Sequence, residues 1–229
     1  MDIVVKQNIA HQSHPPKTKA SQPQSDAAIH HLIGGALCLD FANTLYGHGK
    51  TPLHEYLFDY RDLVLWSRHA GSVSDEIAAQ LVRKAERFPD DARVVFHRAI
   101  ALRETLFRFF DAVAHHTPPQ STDLAALDLA RLQAISHSHV DRVGKGYALD
   151  WDDKTALDQM LWQIAVSAVE LMTSENVTRV RECRGDACDW LFVDTSRNHL
   201  RRWCSMSACG NRSKARRFMQ RQRKRTTRA

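Results

Sequence analysis

Between Asp59 and Thr173 apolar side chains return every three or four residues, the period of helices that bury one face. Leu63, Trp66 and Ala70 follow Asp59, which can cap a first helix, and Gly71 offers it a left-handed stop. Ser74 begins a second, with Ile77, Leu81 and Ala85 on one side and Glu76 in the first turn. The longest stripe, Val95, Ala99, Leu102, Leu106, Phe109 and Val113, predicts a helix from Ala92 to His116 that Pro118 and Pro119 prevent from continuing. Ser121 or Asp123 caps the next, carrying Leu124, Leu127, Ala130 and Ala134. A final helix from about Asp153 to Thr173 presents Leu157, Leu161, Ile164, Ala168 and Leu171. Residues 142–151 alternate and contain two glycines, which predicts a hairpin or edge strand. The stretch LIGGALCLDFANTL, 32–45, is too short for periodicity to separate strand from helix start. Residues 1–28 are rich in Gln, Ser, Pro and Lys, have no apolar period, and predict a disordered tail. The expectation is a mainly α domain with minor β over 29–178.

Charge divides the chain at the same boundary. Of 229 residues 43% are apolar and 25% charged, and the net charge is +6. Residues 179–229 hold thirteen arginines and two lysines against four acids, a net of +11, which leaves −5 for the rest. Such asymmetry predicts a polyanion-binding end on an acidic globule. No apolar run approaches the roughly 18–20 residues needed to span a bilayer, and the first twenty residues lack the apolar stretch of a secretory signal. A soluble cytoplasmic protein without membrane partners is expected.

Four of the five cysteines fall within 27 residues as Cys183-x4-Cys188-x15-Cys204-x4-Cys209. Two pairs separated by a loop are the general form of a four-thiolate zinc site, and a reducing compartment favours metal over two disulfides. Zn–S bonds of about 2.3 Å in a tetrahedron place the sulfurs roughly 3.8 Å apart. The apolar residues of this segment, among them Trp190, Leu191, Phe192, Val193 and Trp203, are too few to hold it. Metal, which contributes on the order of 10–16 kcal/mol in such modules, takes the place of core. Four thiolates leave no open position, so the one zinc is structural. The expected module is a small zinc-stabilised β-hairpin plus a C-terminal helix, treble-clef-like or zinc-ribbon-like. Its hairpin would run through Trp190–Val193 and back near Arg202–Cys204, and its helix would turn Ala208, Ala215, Phe218 and Met219 inward. After Asn211 come nine cations and no acid, a run that is either a solvated tail or a phosphate-binding surface.

The stretch from Cys183 to Phe218 resembles the CGNR zinc-finger family through its cysteines, the closing Cys209-Gly210-Asn211-Arg212, Phe192, Asp194, Ser196-Arg197, Arg201 to Met206, and Lys214. In that family the finger follows a domain called ABATE, in stress-induced transcription regulators; LCLDFANTL (37–45) and DYRDLVLWSRHAG (59–71) are similar to that domain's opening. One position departs from the pattern: Asp189 stands where glycine is expected, and aspartate tolerates left-handed geometry. The resemblance implies zinc, DNA binding and transcriptional regulation. On that basis 179–222 is a finger and 223–229 a basic tail. Arg197, Arg201, Arg202, Arg212, Lys214, Arg216 and Arg217 are assigned mainly to phosphate, with Asn211 or Arg212 as candidates for a base contact. The same basic face would also serve an RNA- or ribosome-associated module. In the larger domain Asp40, Asn43, Thr44 and His48 are candidates to line a small-molecule effector pocket, or else to cap a helix or fix a turn. That domain is also the candidate surface for a homodimer. No Ser-His-Asp order, phosphate loop or paired-carboxylate motif is visible, so no catalysis is expected.

Overall fold

A computed structural model of the protein describes residues 32–48, 54–186 and 188–226, with side chains to 222. The expected disordered tail, 1–28, and the last three residues lie outside them. In chain order the elements are α1 (Leu37–Ala42), β1 (Leu45–Tyr46), β2 (His54–Glu55), α2 (Tyr60–His69), α3 (Asp75–Arg87), α4 (Pro89–Ala114) and α5 (Ser121–Ser136). There follow β3 (Ser138–Val143), β4 (Gly146–Trp151), α6 (Gln159–Thr173), β5 (Val180–Glu182), β6 (Leu191–Val193) and α7 (Asn211–Thr226). The strands form three separate antiparallel pairs, β1 with β2, β3 with β4 and β5 with β6. The fold is mainly helical, and no described helix is long and apolar enough to cross a membrane.

Local chemistry sets most helix ends as the sequence predicts. Asp59 accepts from the Asp62 amide at 2.9 Å, and Ser74 Oγ from that of Ile77 at 3.3 Å. Gly71 adopts φ +73° just after α2. Helix α4 begins at Pro89, three residues before the predicted start, because proline is tolerated at a first position that needs no N–H. Neither Ser121 nor Asp123 caps α5: its N-cap is Gln120, and Asp123 is buried, accepting the Arg108 guanidinium of α4 at 2.6 Å. Residues 153–158 form turns, so α6 starts at Gln159. The ambiguous 32–45 stretch resolves into α1 followed by β1.

Helix α4 is the centre, packed against α1, α2, α3, α5, β5 and β6. Its Ala99, Leu106 and Phe110 are fully buried, in one core with Phe41, Leu63, Leu81, Met160 and Ile164. Val180, Leu191 and Val193, from the basic end of the chain, belong to that same core. Strand β6 pairs with β5, Val180 opposite Val193 and Glu182 opposite Leu191. The other edge of β6 is closed from the N-terminal region. Asn43 accepts from Leu191 N at 2.8 Å and donates to Leu191 O at 2.9 Å, while Gly34 O accepts from Val193 N at 2.8 Å. A Cβ on Gly34 would lie 2.8 Å from Leu39 Cβ and 2.9 Å from Asp40 N, so only glycine lets residue 34 lie this close to the start of α1.

Replacing Asn43 by Ala strands a donor and an acceptor of Leu191 inside the core, at about 2–3 kcal/mol. Urea unfolding of the zinc-loaded chain measures it, and a loss below about 0.5 kcal/mol would assign the docking of β6 to apolar packing alone.

Candidate metal centre and nucleic-acid interface

Cys183 and Cys188 lie in the turn of the β5–β6 hairpin, and Cys204 and Cys209 immediately before α7. One pair thus sits in a hairpin turn and the other at a helix start, the small hairpin plus helix expected of the module. All four sulfurs fall within 4.8 Å of one another, with Cys188–Cys204 at 3.7 Å and Cys204–Cys209 at 3.6 Å. These match the edges of a zinc tetrathiolate, and none of the cysteines is in a disulfide. The four are buried to within 2–3%. Cys204 N donates to Cys183 Sγ at 3.3 Å, and Arg212 Nη2 to Cys209 Sγ at 3.2 Å, as thiolates require. Hydrogen bonds from Cys188 and Cys204 pull the Cys183 thiol far down, while Cys188 and Cys204 rise because they share protons with it and are buried. So many thiols cannot all ionise at contact distance without a cation. The four cysteines hold one structural zinc. Gly185 passes close: a Cβ there would stand 3.1 Å from Cys188 Cβ and 3.2 Å from Cys209 Sγ.

Two predictions about the module change, one for its hairpin and one for its helix. Leu191–Val193 pairs with Val180–Glu182, whereas the return near Arg202–Cys204 makes a single ladder-like bond, Arg184 N to Arg202 O at 2.9 Å. The eight-residue zinc turn between β5 and β6 leaves the earlier strand as the natural neighbour. Ala215, Phe218 and Met219 are exposed, the last two by 61% and 56%, because α7 packs chiefly on the π turn Met206–Gly210 that precedes it. The helix reaches Thr226, into the predicted tail.

Asp189 is not in left-handed geometry. It is buried and accepts from Gly47 N at 3.0 Å and from His48 twice, through the backbone N–H and, at 3.0 Å, through Nδ1. Burial alone would raise its carboxyl; these bonds outweigh it and hold the group below its ordinary range. His48 in turn stacks on Phe107, 3.4 Å between centroids. Of the other proposed pocket residues, Asn43 holds Leu191, Thr44 donates to Phe41 O at 2.7 Å, and Asp40 accepts from Gly34 N at 2.7 Å. All four act as internal fasteners around the seam, and none lines the cavities next to the metal.

The basic residues separate into two groups. Arg201 is internal: its N–H donates to Asp194 at 2.9 Å, its Nε to Trp203 O at 3.0 Å and its Nη2 to Cys204 O, with the guanidinium 4.3 Å above the Phe192 ring. Arg212 serves the Cys209 sulfur, and Arg216 pairs with Asp186. Asn211 donates to Ser207 O at 3.3 Å, tying the helix start to the zinc turn. Arg197, Arg202, Lys214, Arg217 and Arg221 are exposed; Arg202 and Arg217 flank the Trp203 ring at 5.4 and 6.0 Å. Spacing foretold the cysteines. Nothing in it announced the roles of Asp189 and Arg201, which depend on partners far along the chain or in a loop.

A helical domain whose core also seats a zinc-held module with a basic helix is the class these features define. Family models match it in two parts: ABATE, described as "Putative stress-induced transcription regulator", over residues 35–175, and the CGNR zinc finger over residues 179–222. The chain belongs to the ABATE family. No curated protein matches it.

Gly185→Ala should weaken zinc binding by about tenfold, read by competition with a chromogenic chelator, since the added methyl must displace a ligand. Asp40 supplies a pH test. Burial raises its carboxyl to about 6 from 3.8, against the N–H bonds of Gly34 and Ile33. Between those values the native state keeps a proton that the unfolded chain releases, so this contribution to stability falls as pH rises and stays low above it. Relative to wild type, Asp40→Asn should therefore gain about 2 kcal/mol between pH 4 and 7, the zinc contribution cancelling in the difference. A pH-independent difference would contradict it.

Proposed function

We propose that the protein is a zinc-dependent regulator that binds duplex DNA through the outer face of α7 and the loop before Cys204. The observation that carries this reading is the helix itself. It has 16 residues and no acid, and Arg212, Lys214, Arg216, Arg217 and Arg221 all stand exposed. A helix of that length extends about 24 Å, and a major groove about 12 Å wide admits one. The metal orients its first turn through Cys209, so the charges form a fixed surface continuous with the scaffold. Arg197 and Arg202 extend the face; guanidinium groups fit phosphate bidentately. Family membership supports transcription as the process. The helical domain then serves as the regulatory part, by effector binding or by self-association.

The full chain, zinc-loaded or chelated, is titrated into labelled duplex and structured RNA by anisotropy across a salt series. Zinc-loaded protein should bind duplex DNA more tightly than RNA at physiological salt, and chelation should abolish this. Lys214→Ala and Arg217→Ala should each lower the log–log salt slope by about 0.9, one phosphate contact. Arg201→Ala should leave the slope unchanged and lower the unfolding temperature. Equal binding after chelation, or a preference for RNA, would overturn the proposal.

A further inference from the structure

A cavity of about 410 Å³ lies between the β1–β2 hairpin and the zinc module, within the range usual for small-molecule sites. Tyr46, Tyr56 and Trp190 form much of its wall, with Ile33 and Ala208, and Arg212 at the rim. Tyr46 meets Trp190 edge to face, 6.2 Å between centroids and 85° between planes, and His54 meets Tyr56 similarly at 4.6 Å and 75°. Perpendicular rings leave flat faces and edges that accept a planar guest. The three cysteines bordering the space are buried to 2–3%, so their sulfurs offer little surface to it. Arg212 is exposed. One of its N–H groups goes to Cys209 Sγ, and a guanidinium carries five.

We propose that this cavity binds a small planar aromatic carboxylate, its ring between Tyr46, Tyr56 and Trp190 and its carboxylate on Arg212. An aromatic wall alone would take any flat apolar molecule; the guanidinium at its rim selects the anion. The site differs from the pocket expected around Asp40, Asn43, Thr44 and His48. It also joins the two parts of the chain, since Tyr46 and Tyr56 belong to the helical domain and Arg212 to the first turn of α7. A bound carboxylate and nucleic acid compete for the N–H groups of Arg212 that Cys209 does not take. Occupancy therefore lowers DNA affinity, and DNA lowers ligand affinity by the same factor. This second consequence rests on the DNA-binding reading; ligand binding itself does not.

Calorimetry on the zinc-loaded full chain with 2-naphthoate, the neutral 2-naphthamide and the cationic 2-naphthylmethylammonium tests it. Saturable one-to-one binding of the carboxylate is expected, about tenfold tighter than the amide, a difference of about one charge-assisted hydrogen bond. Arg212→Gln, with zinc content confirmed by metal analysis, should bring carboxylate and amide within about twofold. Tyr56→Ala should weaken both alike. If Arg212→Gln loses zinc, the ligand series on the wild type still decides. Equal affinity for carboxylate and amide, preference for the ammonium, or no saturable binding overturns the site. Binding with the expected selectivity but no fivefold or greater change in DNA affinity leaves the site standing and overturns the coupling.

Discussion

Strand β6 is three residues long and buried on both faces, and everything around it is arranged to satisfy its backbone. A short strand in a core cannot leave an edge unpaired, because each buried amide or carbonyl without a partner costs about as much as a hydrogen bond. Strand β5 closes one edge; Asn43 and Gly34 close the other. Asp189, two residues before β6, continues the attachment by gripping Gly47 and His48. The zinc module therefore hangs from the helical core along one seam, with its hydrophobic strand inside that core and its metal just outside.

The metal completes what the seam begins. Beyond Val193 few apolar residues are buried, and the chain from Asp194 to Gly210 is ordered by polar means. Asp194 gathers the N–H of Ser196 and Arg201, Arg201 closes on the carbonyls of Trp203 and Cys204, and four sulfurs close on zinc. Three of the arginines that look like nucleic-acid contacts, Arg201, Arg212 and Arg216, have partners within the protein. The free cations that remain lie on α7 and beside Trp203. Arg212 stands between the two roles, and that position makes it suited to transmit occupancy of the neighbouring cavity.

The helices were legible because a helix end is a local event. Asp59, Ser74 and Pro118-Pro119 decide theirs with groups a few residues away. The cysteine spacing was legible for a similar reason: two short turns bring each pair together, and the chemistry of four thiols admits few outcomes. Asp123 misled because capping and ion pairing use the same carboxylate, and the choice was made by Arg108, fifteen residues earlier on the preceding helix. Phe218 and Met219 misled because a helical stripe shows which residues share a face but not whether anything covers it.

By itself the sequence determined a mainly helical domain, a four-cysteine metal site and a strongly basic end, since period, spacing and charge are properties of neighbours along the chain. Tertiary structure alone decided that β6 enters the helical core, that Asn43 and His48 fasten Leu191 and Asp189, and that Arg201 turns inward. Those outcomes depend on contacts between residues as far apart as Asn43 and Leu191, and no local pattern encodes which distant group will satisfy a buried one.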